Sequence, residues 1–325
     1  MFDGARAFVT GATGLIGSAL AHELLEQGAE VHALVLSDPE PESALVRSGD
    51  IGRVRIHTGR LEDAASVDAA IRATRPQYVF HLGARTLVEA AAADPAGTFA
   101  VNVQGTWAVL EACRGLADAP RAIAVASSDK AYGERDKLPY VETDPLDGTE
   151  PYEASKTMTD ILARTYARSY GLPTRVARCG NVYGPGDWNW SRIVPGTIRA
   201  LLRGETPVLR SDGTPIRDYV HVDDVVRAYL LLARTDIAPG EPFNFSSGEK
   251  RSVLEVVQLI GRAVGVATEP RVLGTARGEI SRQYLDSTKA QRMLGWTAER
   301  RLATSLPAVV GWYRDLLGSR TGAPA

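Results

Sequence analysis

Residues 6–17 read Arg6-Ala7-Phe8-Val9-Thr10-Gly11-Ala12-Thr13-Gly14-Leu15-Ile16-Gly17. A short apolar run (Ala7–Val9) is followed by a glycine-rich turn. An amphipathic pattern then covers Leu15–Gln27 and stops at Gly28. Strand, turn and helix in that order form a cradle for a diphosphate. Backbone N–H groups converge in the turn, and the helix N-terminus adds positive partial charge. On this reading a Cβ at Gly11 or Gly14 would hold the phosphates away, and Gly17 lets the helix pack closely on the strand. Thr13, Leu15 and Ile16 lie in the same turn and join the candidate cofactor contacts. A glycine motif alone is weak evidence; its place between a strand and a helix gives it weight.

The same alternation continues outward. Strands are predicted at Val31–Leu36, Val54–His57, Tyr78–Leu82 and Arg121–Ser127. Helices are predicted at Ala65–Thr74, Ala96–Leu116 and Tyr152–Tyr170, the last closed by Gly171-Leu172-Pro173. Strands alternating with helices imply an α/β fold, a doubly wound Rossmann sheet with helices on both faces. The continuous apolar run Ile123-Ala124-Val125-Ala126 suits a parallel strand buried on both sides. Leu82, Gly83 and Ala84 end the fourth strand and are expected at the dinucleotide. His81 beside them is expected to be a packed residue. Asp38, after the second strand, is the candidate partner for an adenine ribose. It favours NAD, while Arg60 keeps NADP open.

After about Gly180 glycine, proline and tryptophan become frequent, as in Tyr183-Gly184-Pro185-Gly186-Asp187-Trp188. A smaller, discontinuous C-terminal substrate lobe is expected. The dinucleotide-binding domain takes residues 1–178 and 218–248, the lobe takes 179–217 and 249–318, and 319–325 form a tail.

A second constellation carries chemistry. Ser127-Ser128-Asp129-Lys130-Ala131-Tyr132-Gly133 follows the fifth strand, and Pro151-Tyr152-Glu153-Ala154-Ser155-Lys156 opens a helix. Tyr152 and Lys156 are four apart and share a face. A phenol near pKa 10 is a poor base at neutral pH. A neighbouring ammonium and a cationic nicotinamide both favour its phenolate. Ser128 can hydrogen-bond the same substrate oxygen.

The chain has 325 residues with a formal net charge of -2. That balance gives no electrostatic drive toward nucleic acid. No apolar run is long enough for a membrane span, and the first strand begins too early for a signal peptide. Cys113 and Cys179 lack metal-ligand spacing and read as reduced core thiols, so no metal is expected. A cytoplasmic protein is the expectation. Only five of the 37 basic residues are lysines, and two of them, Lys130 and Lys156, fall in the constellation above.

With these motifs the sequence resembles the extended short-chain dehydrogenase/reductase family. The resemblance spans about residues 5–315. It rests on the Gly11/Gly14/Gly17 turn, the Ser128 loop, Tyr152-x-x-x-Lys156 and Arg217-Asp218-Tyr219-Val220-His221-Val222-Asp223-Asp224. Asn102, in Val101-Asn102-Val103, matches a cofactor-side position. Members mostly act on nucleotide-diphosphate sugars, and Ser128-Asp129-Lys130 is similar to the CDP-glucose 4,6-dehydratase branch.

The resemblance implies that Tyr152 takes the C4 hydroxyl proton while NAD takes the C4 hydride. A base near Lys130 would remove the C5 proton, and Asp129 would donate to the departing C6 hydroxyl. Lys130 beside Asp129 favours a carboxylate, so an acid role for Asp129 requires burial. The substrate candidates are Thr86, Asn181, Arg192, Arg217 and Arg277. An NDP-sugar 4-epimerase would use the same Ser128, Tyr152 and Lys156 without elimination. A dinucleotide-sensing protein without turnover would need neither Tyr152 nor Lys156. The resemblance also implies a homodimer, with Ala96–Leu116 and Tyr152–Tyr170 pairing as a four-helix bundle.

Overall fold

The computed structural model describes residues 2–275 and 280–321. Residues 6–179 supply β1 (Arg6–Thr10), β2 (Glu30–Val35), β3 (Arg55–Thr58), β4 (Tyr78–His81), β5 (Ala122–Ala126) and β6 (Thr174–Cys179). β7 (Asn181–Tyr183), β8 (Val208–Leu209) and β9 (Ile216–His221) leave this layer, and β10 (Glu241–Phe245) returns to it. The resulting seven-stranded sheet has the order β10-β6-β5-β4-β1-β2-β3, and every pairing in it is parallel. This is the predicted doubly wound sheet.

Both faces are apolar because successive side chains alternate across a strand. Ala7 and Val9 of β1, with Ala33, Phe80 and Ala124, pack under α1 (Leu15–Glu26) and α9 (Val222–Arg234). Phe8, with Leu34, Val79 and Ile123, packs under three helices on the other side. These are α3 (Ala64–Thr74), α6 (Gly105–Arg114) and α7 (Pro151–Tyr170).

The helix expected over Ala96–Leu116 is not uniform. α4 (Val88–Ala93) and α5 (Pro95–Phe99) lead into a π-helical turn over Ala100–Gln104, and α6 comes next. Pro95 starts α5 at a position where the missing N–H costs nothing. The wider turn presents Asn102 to the interior, where it is 1% exposed.

A second core lies in the C-terminal lobe. α8 (Ile193–Leu202), α10 (Val253–Val264) and α12 (Leu302–Thr321) bury Ile198, Ile260 and Leu306 against Tyr183 and Tyr219. A four-stranded sheet carries β9 between β11 (Lys250–Ser252) and β13 (Arg282–Gln283), with β7 also on β9. β8 pairs with β12 (Arg271–Val272) as a two-stranded ribbon. Because β9 sits in the small sheet and α9 under the large one, the chain changes layer at His221–Val222. The expected boundary was 217/218.

One buried ion pair ties the two halves of the catalytic region together. Arg178 on β6 and Asp160 on α7 both have side chains with no solvent exposure. Arg178 Nε donates to Asp160 Oδ2 at 2.7 Å and Nη2 to Oδ1 at 2.9 Å. Arg178 Nη1 donates to the Tyr132 hydroxyl at 2.7 Å, which in turn donates to Asn244 Oδ1 at 2.7 Å. Every strong partner is satisfied, and that is the condition under which a buried pair persists.

Removing one member of such a pair is costly. Asp160→Ala strands a buried guanidinium and should lower unfolding free energy by about 3–5 kcal/mol in urea titration. A loss below about 1 kcal/mol would show the pair to be unimportant.

His81 is 3% exposed and lies between the Thr10 and Thr106 hydroxyls, each at 2.9 Å. Burial pushes its pKa from 6.5 down to about 3. Between those values the unfolded chain binds more protons, so stability falls as pH falls. From pH 7 to 4.5 this site should remove about 2–3 kcal/mol, and His81→Asn should flatten that part of the acid limb.

Candidate active site

The glycine turn splits into two different needs. Gly11 has φ +72°, and a Cβ there would stand 2.8 Å from the Gly83 backbone nitrogen. A Cβ on Gly17 would stand 2.0 Å from the Gly11 carbonyl oxygen. Both glycines are therefore required by backbone packing. Gly11 thus has a packing reason beside the expected phosphate one. Only Gly14 of the three faces open space, with its nearest atom, Gly11 O, 3.5 Å from a built Cβ.

Gly14 caps α1, and no described side chain bonds the first turn. The opening amides of a helix have no partner inside it. Thr13, Gly14, Leu15 and Ile16 thus line a turn with room and donors for a diphosphate, so these residues fit a dinucleotide.

The next strand end completes this rim. Leu82 and Gly83 donate their N–H groups to Thr10 Oγ1 at 3.1 and 3.0 Å, and Ala84 beyond them is half-buried. Asn102 holds the loop past this point. Its Oδ1 accepts from Arg85 N at 2.7 Å, and its Nδ2 donates to Arg85 O and Ser155 Oγ at 3.0 and 2.9 Å. Its place is therefore under the loop, as a clamp on backbone. Asp38 lies beyond the end of β2 and is exposed. His81 is packed, as expected. Cys113 and Cys179 are buried free thiols.

The chemical groups meet at the ends of β5 and α7. Ser128 caps a single helical turn over Asp129–Tyr132, accepting from Lys130 N at 3.2 Å and donating to Asp129 Oδ1 at 3.0 Å. Lys156 Nζ donates to the Ala126 carbonyl at 2.9 Å, which pins the start of α7 to the end of β5. Burial lowers Lys156 to about 8 and lifts the Tyr152 phenol to about 12. Arg192 and Ser128 draw that phenol back down. Burial also raises Asp129, against the pull of Lys130, Ser128 and Arg217. Asp129 is 2% exposed, and its Oδ2 has no hydrogen-bond partner among the described residues.

The candidate substrate residues form the opposite wall. Arg192 Nη2 donates to Thr86 Oγ1 at 3.0 Å, and its Nη1 reaches Asp187 Oδ2 at 3.2 Å. This joins the loop after β4 to the C-terminal lobe. Arg217 is buried on β9 within the electrostatic reach of Asp129. Asn181 is half-buried on β7. Arg277 lies outside the described residues. Trp190 packs with Tyr313 and under Arg199, inside the second lobe. Among the described residues no group of three His, Cys, Asp or Glu could hold a metal ion.

Two carboxyls escaped the sequence reading. Glu153 is buried and its pKa is raised by burial, with Lys130 opposing. Asp218 is fully buried, accepts from Ser246 Oγ and from Ser247 N at 3.2 Å, and is lifted by burial to about 6. Both sit inside motifs already singled out, so adjacency was the available signal.

Comparison with known proteins agrees with this geometry. The model of the NAD dependent epimerase/dehydratase family matches residues 7–245. A UDP-glucose 4-epimerase from Mycolicibacterium smegmatis is 32% identical over 313 residues, covering 95% of this chain and 99% of the relative. A dTDP-glucose 4,6-dehydratase from Streptomyces antibioticus is 34% identical over 316 residues, covering 94% and 92%. The solved structure of a dTDP-glucose 4,6-dehydratase double mutant from Streptomyces venezuelae, with NAD bound, superposes with a TM-score of 0.87 at 28% identity. It covers 97% of this chain and 98% of that one. The chain, with its glycine turn, its Tyr152/Lys156 helix and its second lobe, belongs to the NAD dependent epimerase/dehydratase family.

Proposed function

We propose that this protein is an NAD-dependent nucleotide-diphosphate-sugar 4,6-dehydratase. The observation that carries the reading is Asp129. Its carboxyl is buried beside Ser128, its pKa is raised, and one oxygen is unpartnered among the described residues. Burial pushes such a carboxyl toward its protonated form, the form from which it can donate. A 4-epimerase has no step that needs this acid.

The turn at 11–17, Leu82–Ala84, Tyr152 and Lys156 would hold NAD, which would supply a reversible hydride acceptor for the hydrogen that leaves C4 and is needed again at C6. The chain's own residues handle the protons. Tyr152 takes the C4 hydroxyl proton, with Ser128 on the same oxygen. The 4-ketone acidifies C5–H. Lys130 and Glu153, which stand in each other's field, are the candidates for removing that proton. Asp129 gives its proton to the C6 hydroxyl, which leaves as water. The net change is loss of one water and formation of a C6 methyl beside a C4 ketone. Arg192 and Arg217 suit the diphosphate, since guanidinium binds it bidentately.

The family also contains 4-epimerases, and the similarity to one of them favours that activity as the second reading. Incubation with NAD and dTDP-, UDP-, CDP- or GDP-glucose in D₂O separates the two. Deuterium at C5 and a new C6 methyl in the NMR spectrum are expected. Retention of the C6 hydroxyl with inversion at C4 would overturn the dehydratase reading. Asp129→Asn should lower turnover by about 10²–10⁴-fold while sugar-nucleotide affinity is maintained.

The same reading includes a homodimer. Trp107, Met158 and Ile161 on α6 and α7 are 44%, 44% and 49% exposed. Trp107 and Met158, with Phe99, Val103 and Leu162, border an apolar groove. A second copy of the pair α6/α7 would cover it as a four-helix bundle. Sedimentation should give twice the chain mass, and Trp107→Glu with Met158→Glu should give monomers. A wild-type monomer would remove the dimer from the reading. No described helix is long and apolar enough to cross a membrane.

A further inference from the structure

Five buried side-chain polar atoms have no hydrogen-bond partner among the described residues, and four of them belong to residues in register with Arg217 or in its field. They are Asp129 Oδ2, Arg251 Nε, and both Nε2 and Oε1 of Gln283. Gln283 is 0% exposed. A buried amide without partners costs free energy comparable to lost hydrogen bonds. Native structures seldom carry one without a reason.

The topology places Arg251, Arg217 and Gln283 in a row. Arg217 on β9 is in register with Arg251 on β11 and with Gln283 on β13. Side chains in register across neighbouring strands project from the same face. The Arg217 guanidinium lies in the field of Asp129. β13 is the strand on the Asp129 side. Ser281 donates from N and Oγ to Glu134 Oε1 at 3.2 and 3.0 Å, and Tyr140 N donates to Tyr284 O at 3.0 Å. Leu285, two residues beyond Gln283 and so on its face, packs against Tyr132 of the Asp129 turn.

Resting on the reading of the site as a nucleotide-sugar site, we propose that Gln283 is a substrate-binding residue that hydrogen-bonds a hydroxyl of the hexose. An amide offers one donor group and one acceptor, which matches a hydroxyl. A diphosphate offers acceptors only and suits the guanidinium of Arg217. The amide then discriminates the sugar, while the arginine holds the charge common to all nucleotide diphosphates. A site built around such groups rejects ligands that leave them unpaired.

Gln283→Met keeps the length and removes both polar atoms, and Gln283→Leu serves as a second apolar variant. Calorimetry should use whichever of dTDP-, UDP-, CDP- and GDP-glucose the wild type binds most tightly, and the matching nucleoside diphosphate alone. Both variants should bind the sugar nucleotide about 10–100-fold more weakly. They should bind the nucleoside diphosphate as the wild type does. Their melting temperature should be unchanged or raised, because an unpartnered amide has been replaced by an apolar group.

Equal sugar-nucleotide affinity would overturn the assignment. An equal loss for the nucleoside diphosphate would also do so, because it would put Gln283 on the phosphates. A lower melting temperature in both variants would do so too, because it would reveal a structural partner for the amide. A wild type that binds no sugar nucleotide would overturn the dehydratase reading, and this one with it. A silent Gln283→Met in a wild type that does bind would overturn this inference alone.

Discussion

The bidentate pair between Arg178 and Asp160 is the interaction on which the arrangement of the site depends. Asp160 is one turn beyond Lys156 on α7, and Arg178 is the penultimate residue of β6. Through the Tyr132 hydroxyl the same guanidinium reaches the turn that carries Ser128, Asp129 and Lys130. Through Asn244 the network reaches β10, the outermost strand of the large sheet. Four separate elements are thereby held in one frame. The Ser128 turn and the Tyr152 helix are 24 residues apart in sequence. A rigid polar centre is an effective way to fix their relative position, because each partner is satisfied only in one geometry.

Burial acts on the proposed catalytic groups in one direction. It raises Tyr152 and Asp129, lowers Lys156, and so favours the neutral form of all three. For Asp129 that is the form an acid needs. For Tyr152 it opposes the phenolate, and Arg192 and Ser128 work against it. Arg192 also joins the two lobes through Thr86 and Asp187. The residue that joins the lobes is thus the one whose charge most lowers the Tyr152 phenol.

Much of the fold is legible in the sequence. Alternating apolar strands and amphipathic helices predict the parallel sheet, and the glycine turn and Tyr152-x-x-x-Lys156 locate the two halves of the site. Boundaries move where local pattern is silent. Nothing in Ala96–Leu116 marks a π-helical turn, and the Arg85 backbone that Asn102 holds from it is set by tertiary structure. The reason for Gly11 is not visible from the motif, because the approach of Gly83 depends on strand pairing. Burial of Asp129 decides its chemistry, and no spacing rule reports burial. Gln283 is hidden for the same reason: a lone glutamine has no pattern until the strands beside it are known.

The π-helical turn at Ala100–Gln104 has a consequence for insertion and deletion. Such a turn holds one more residue than an α-helical turn of the same place. Each residue of α-helix rotates its successor by about 100° around the axis. Removing a single residue there would regularise the helix and turn all of α6 about its axis. Thr106, now against His81, would swing away, and its exposed neighbour Trp107 would be driven toward the sheet. The length of this segment is therefore as tightly constrained as its composition, although no catalytic group lies within it.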